Sequence, residues 1–186
     1  MIISISGTHC TGKSTLVEAL KKQPAFQNAV FLKSSGRALA KENSRIKVNE
    51  DGDFFTQFYQ MTRDCNQLLE AMDKPLVVCD RSYIDTLVYS QYLHEKGKVS
   101  LYQMDLLRGM SLMMQAMVHF DKVFLLKPSF ELQAEENRSM NKEFQKDIYD
   151  MFDNLQTNEP DWEYLPNDNE SRIKRIVAYV QGTKKK

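Results

Sequence analysis

The chain has 186 residues, enough for one well-buried domain and too few for two. Its 25 basic and 25 acidic residues cancel, so no global field draws it to nucleic acid or to an anionic membrane. Cys10, Cys65 and Cys79 are scattered without C-x-x-C spacing, against a disulfide framework or a zinc site, and no apolar run approaches membrane-spanning length. A β-prone run beginning at Ile2 leaves no room for a signal peptide, so a cytoplasmic protein is expected.

That first run, Ile2–Ser6, alternates isoleucine with serine from Ile3 onward and reads as a strand. Gly7-Thr8-His9-Cys10-Thr11-Gly12-Lys13-Ser14 follows at once and fits G-x-x-x-x-G-K-[ST]. Leu16, Ala19 and Leu20 then repeat at helical spacing, predicting a helix from about 12 to 23 that ends before Pro24. Strand, glycine loop and helix are the context in which this pattern cradles a triphosphate. The backbone N–H groups from Gly7 to Thr15 are expected to bind ATP, helped by the helix dipole. Lys13 would reach the β- and γ-phosphates, and the Ser14 hydroxyl would ligate Mg²⁺. His9 and Cys10 read as spacers within the loop, with donor-phosphate contact the alternative for His9.

The next elements predict a parallel sheet with helices between its strands. A strand over 29–33 precedes a polar helix–loop stretch from Lys41 to Gly52. A long helix over 53–72 follows, with Phe54, Phe58, Met61, Cys65, Leu68 and Met72 on one stripe. Pro75 opens an apolar strand, Leu76-Val77-Val78-Cys79, and 83–94 reads as a helix ended by Gly97. The helix predicted over 101–120 holds five of the ten methionines. That is more apolar surface than one stripe needs, so it is a core helix or half of a homodimer interface, the core reading being favoured. A fourth strand over 123–126, a polar lid over 128–142, a helix over 142–155 and an edge strand over 162–165 come next. Asp168 or Asn169 caps a last helix. The expected fold is one α/β domain over 1–186: a three-layer α/β/α P-loop NTPase with a five-stranded parallel sheet, order 2-3-1-4-5.

Asp80-Arg81-Ser82 closes the third strand. In an open parallel sheet, ligands bind beyond the carboxyl ends of the strands, so Asp80 is expected beside the phosphate loop. There its carboxylate can hold Mg²⁺ or take a proton, and the Arg81 guanidinium can grip phosphate oxygens. A helix cap and a surface ion pair are the plainer alternatives for these two residues.

Asp80-Arg81-Ser82-Tyr83-Ile84-Asp85-Thr86-Leu87-Val88-Tyr89 resembles the D-R-[YHS]-x-x-S-[ST]-x-A-Y stretch of thymidylate kinases, with Asp85 and Thr86 at the hydroxyl positions. Phe58-Tyr59-Gln60-Met61-Thr62-Arg63 is similar to that family's aromatic-then-arginine segment. The resemblance implies Tyr59 for base stacking, with Phe58 the alternative aromatic, and Arg63 for the acceptor phosphate, both within an acceptor-side helical segment over about 37–72, and Arg138 as the lid arginine. After the second strand, where the family carries roughly R-E-P-G, this chain has Lys33-Ser34-Ser35-Gly36-Arg37. Lys33 and Arg37 are candidates for an anionic acceptor, and the missing acid bears on which sugar or base is recognised. The layout also resembles ribosylnicotinamide kinase domains. The expected activity is γ-phosphoryl transfer from Mg·ATP to a nucleoside monophosphate. A nucleoside, ribosylnicotinamide or modified DNA base is the alternative acceptor, and a nucleotide-operated switch is the alternative class.

Overall fold

In the computed structural model, residues 1–33, 36–43, 45–128, 139–157 and 161–183 are described. Strands β1 (Ile2–Ser6), β2 (Val30–Leu32), β3 (Val77–Asp80), β4 (Lys122–Leu125) and β5 (Trp162–Tyr164) form one sheet. Its order is β2-β3-β1-β4-β5, the expected one, and all four neighbouring pairs run parallel. Seven α-helices accompany it among the described residues: α1 (Lys13–Lys21), α2 (Gly36–Glu42), α3 (Phe54–Ala71), α4 (Tyr83–Glu95), α5 (Leu101–Met117), α6 (Lys142–Gln156) and α7 (Asn169–Thr183).

Successive strand residues point to opposite faces, and the two faces build two cores. Ile3, Ile5, Val78 and Phe124 pack with Leu16, Leu20, Ile176 and Val180, which places α1 and α7 on one side. Ile2, Val77, Cys79, Val123 and Leu125 pack with residues of α3, α4, α5 and α6 on the other. Ser4 and Ser6 share that second face, with hydroxyls 2.9 Å apart. Two polar groups in an otherwise apolar layer mark where the core gives way to chemistry.

The register fixes the site. Ile5 pairs with Asp80 on one side and with Phe124 on the other, so the carboxyl ends of β1 and β3 lie side by side. Gly7 leaves β1 with φ +129°, and a Cβ there would sit 2.7 Å from the Leu126 carbonyl oxygen. Only glycine fits that turn.

The expected stripe on α3 holds from Phe54 and Phe58, partly buried against the core, and shifts at its C-terminal end. Met61, Cys65 and Leu68 are buried, whereas Ala71 takes the terminal inward position and Met72 is 40% exposed. Helix α5 departs further from the core reading. It buries Met104, Leu107, Ser111 and Met114 and leaves Leu101, Tyr102, Leu106, Leu112, Met113 and Met117 exposed. It is a peripheral helix packed on α3 and α4, with a second apolar face turned outward. It also stops at Met117, because Val118 turns extended, and Phe120 reaches the core from outside the helix.

Candidate active site

The phosphate loop is held through its carbonyl groups. Lys13, a buried residue, folds its ammonium back onto Gly7 O at 2.8 Å, Thr11 Oγ1 at 2.9 Å and Thr8 O. The His9 carbonyl accepts from Gln145 Nε2 at 2.9 Å, and the Thr11 carbonyl from Arg172 Nη1 at 2.9 Å. In a trans peptide the N–H points opposite to the C=O. The N–H groups of His9, Cys10 and Gly12 therefore point away from those partners, as an anion-binding concavity requires. Cys10 at φ +55° and Gly12 at φ +82° supply the left-handed turns that bend the loop around it. Ser14 and Thr15 stand exposed in the first turn of α1. Burial, reinforced by the nearby Arg81 cation, lowers the Lys13 pKa well below its ordinary value.

Behind the loop sits a carboxylate that the sequence pattern did not assign. Asp85, 1% exposed on α4, accepts from Ser6 Oγ at 2.7 Å, Gly7 N at 3.3 Å, Ser82 N at 3.2 Å and Arg81 Nη1 at 3.0 Å. It ties the exit of β1, the first loop glycine and the exit of β3 into one unit. Burial pushes its carboxyl up, while Arg81, Lys13 and the bonds from Ser6 and Ser82 oppose that shift. Arg81 also donates to the Gly7 carbonyl at 2.9 Å and lies over the Tyr89 ring, 5.2 Å from its centroid. Its backbone is left-handed, φ +70°, a strain that the Asp85 pair and a bond from Arg81 N to Ile5 O at 3.1 Å hold in place. Tyr89 in turn meets Phe144, on which the His9 ring stacks at 5.2 Å.

On the far side of Arg81 lies a narrow cleft, lined by Lys33 at the exit of β2, Asp64 and Gln67 on α3, and Cys79, Ser82 and Tyr83. The Asp64 carboxylate accepts from Thr86 Oγ1 at 3.2 Å. Burial, with Asp64 adding to it, keeps the Cys79 thiol protonated. Two residues expected at the acceptor, Tyr59 and Arg63, do not line this cleft. Tyr59 is 56% exposed, and Arg63 donates to both carboxylate oxygens of Glu42, at 3.1 and 2.9 Å. The phase of α3 explains this: with Met61, Cys65 and Leu68 inward, positions 64 and 67 border the core and position 63 does not. Arg37 lies on α2, its side chain outside the described set, and Arg138 with most of the expected lid lies outside the described residues. Where the chain returns, Ser139 Oγ donates to Glu50 Oε1 at 2.5 Å and Asn141 caps α6.

Arg172, like Gln145, is a supporting residue that sequence reasoning missed. It is 1% exposed, and besides Thr11 O it holds Pro166 O through Nε at 2.7 Å. Arg172→Ala is expected to leave two carbonyls without that donor and to cost about 1–3 kcal/mol of stability. It should also weaken ATP binding, since the loop loses its anchor on α7. Thermal melts with and without Mg·ATP check both effects.

A family model described as an AAA domain matches residues 2–161. The thymidylate kinase of Helicobacter pylori (strain ATCC 700392 / 26695) is 33% identical over 99 residues, 50% of this chain and 51% of that protein. The thymidylate kinase of strain P12 is 31% identical over the same share. The match thus spans about half the length of these relatives. Among solved structures, a NadR protein in complex with NR superposes with a TM-score of 0.71 at 18% identity, covering 97% of this chain and 50% of that one. Deoxyadenosine kinase from M. mycoides with bound dATP gives 0.71 at 17% identity, covering 97% and 99%. At these identities the structural likeness speaks for the fold. The sheet order, the glycine loop leaving β1 and the matched segment lead to one assignment: the chain belongs to the AAA domain family, on a P-loop fold that nucleotide kinases share.

Proposed function

We propose that the protein is an ATP-dependent phosphotransferase acting on a nucleoside or nucleotide acceptor. The observation that carries the reading is the shared sheet edge: the phosphate loop leaves β1 beside the Asp80-Arg81 exit of β3, with Asp85 joining them. The loop N–H groups from Gly7 to Thr15 hold the donor phosphates, and Lys13 exchanges the loop carbonyls for phosphate oxygens when they arrive. Arg81, with Arg138 from the lid, stabilises charge on the transferring group, while Lys33 and Arg37 serve the acceptor side. Catalysis of this kind is mostly positioning and charge stabilisation.

The oxygen donors present suit a hard cation. Ser14 and Asp80 would hold Mg²⁺, which takes few protein ligands and keeps waters and phosphate oxygens. When bound it would neutralise charge on the β- and γ-oxygens. Among the described residues no three His, Cys, Asp or Glu side chains converge as a metal site.

The test is incubation with γ-labelled Mg·ATP and a panel of nucleosides and nucleotides. Label in a phosphorylated acceptor is the expected result. ATP consumed with label only in inorganic phosphate would instead support a nucleotide-operated switch.

A further inference from the structure

Helix α5 carries a face that its own chain leaves uncovered. The outward arc between Leu101 and Met117 spans about 160° at 100° per residue, and Asp105 is its one charged residue. A surface helix ordinarily turns charged and polar groups that way. Here Leu101, Tyr102, Leu106, Leu112, Met113 and Met117 are 44–82% exposed. At roughly 100 Å² each, and about twice that for Tyr102, they leave roughly 700 Å² of apolar surface in water. That is above the ~300–600 Å² usual for the largest patch on a monomer, and near the ~800 Å² each partner gives a standard interface.

We infer that α5 pairs antiparallel with α5 of a second copy of this chain, about a two-fold axis at Gly109. In a two-fold contact residue i meets j and j meets i. With Gly109 on the axis, each residue before it meets the residue equally far after it. Leu101 then faces Met117 of the copy, Tyr102 faces Ala116, and Leu106 faces Leu112. The largest side chain of the face meets its smallest. Gly109 meets itself, and a Cβ added there has nothing within 4 Å in its own chain. The space that this glycine leaves is on the side of the copy.

The charges agree with a second copy as the occupant. Asp105 is balanced within its own chain by Arg108 at 3.1 Å, and Arg108 also donates to Gln91 Oε1 at 2.8 Å. In the two-fold pairing Asp105 faces Met113. The two Asp105 carboxylates are then about 12 Å apart along the helices, beyond the ~8 Å screening length at physiological salt. Nothing on the face repels its copy. A nucleic acid or an anionic lipid surface would need a cationic face instead.

Sedimentation velocity on the whole chain tests the pairing, with far-UV circular dichroism to follow the fold. The wild type is expected to be a dimer at micromolar concentration. Leu106→Glu and Leu112→Lys, both at exposed positions, should each weaken the dimer by about 100-fold or more. Mixed in equal amounts, the two variants should recover a dimer, because the new carboxylate faces the new ammonium while the remaining leucines still meet. Gly109→Arg, which has open space in its own chain, sets two guanidinium groups face to face on the axis and should give a folded monomer. A monomeric wild type would leave the face to a different partner and overturn the inference. Single variants as dimeric as the wild type, or monomeric ones that do not recover on mixing, would also overturn it. If a leucine variant loses its helix signal, Gly109→Arg decides: a folded monomer supports the pairing and a dimer refutes it.

Discussion

Lys13→Met is expected to cut phosphoryl transfer by about 10²–10³-fold, the loss that follows removal of one well-placed donor to transition-state charge. The fold should survive. The Lys13 ammonium is buried against loop carbonyls, and burial together with Arg81 holds its pKa well below the ordinary 10.5. A lysine whose folded pKa is depressed costs stability while it is charged, that is, below the folded value. The cost disappears as pH rises towards the unfolded value near 10.5. At neutral pH methionine removes that cost as well as the bonds to Gly7 O and Thr8 O, so the two losses oppose each other. The ligand-free melting temperature should therefore move little. With Mg·ATP at about 100 times its Kd, the wild type should gain about 2.7 kcal/mol and the variant almost none. A variant that still transfers phosphoryl at the wild-type rate would remove Lys13 from the mechanism.

Asp85→Asn should produce the largest stability loss of any conservative change near the site. Four donors converge on the two Asp85 oxygens, and one is the guanidinium of Arg81. Asparagine keeps the shape but turns an NH₂ towards some of those donors and leaves the arginine without its counter-charge. Breaking a buried pair in this way costs about 3–5 kcal/mol. In a chain of this size that is a fall in Tm of about 6–20 °C. Denaturant unfolding midpoints measure the loss, and kcat should fall with it because Arg81 is no longer aimed. Equal stability of variant and wild type would show that Ser6, Ser82 and Gly7 need no carboxylate.

The sheet was legible because its signals are local. Apolar runs bounded by turn residues marked the strands, and the order, with the neighbouring exits of β1 and β3, came with the fold that the glycine loop and the kinase resemblance implied. The acceptor side was harder because it depends on helical phase. Arg63 and Asp64 are adjacent in sequence yet about 100° apart around α3, so a one-residue offset from the family pattern changes arginine to aspartate at the cleft. The inward stripe of Met61, Cys65 and Leu68 contained that information, since position 64 shares its side. Asp85 carried a signal too: Ser82-x-x-Asp85 forms a capping box at the start of α4, a local pattern that hid a long-range one. Gln145 and Arg172 had none. They reach the loop from 136 and 161 residues away, and nothing in an amphipathic helix marks which polar residue turns towards a distant carbonyl.

Arg172 stands on α7, past residue 161 where the family match ends. During synthesis every strand and every loop residue leaves the ribosome before the side chain that braces Thr11 from behind. Until α7 emerges, the Thr11 carbonyl lacks this donor and one face of the sheet lacks Ile176 and Val180. On the phosphotransferase reading, tight capture of ATP would then depend on α7.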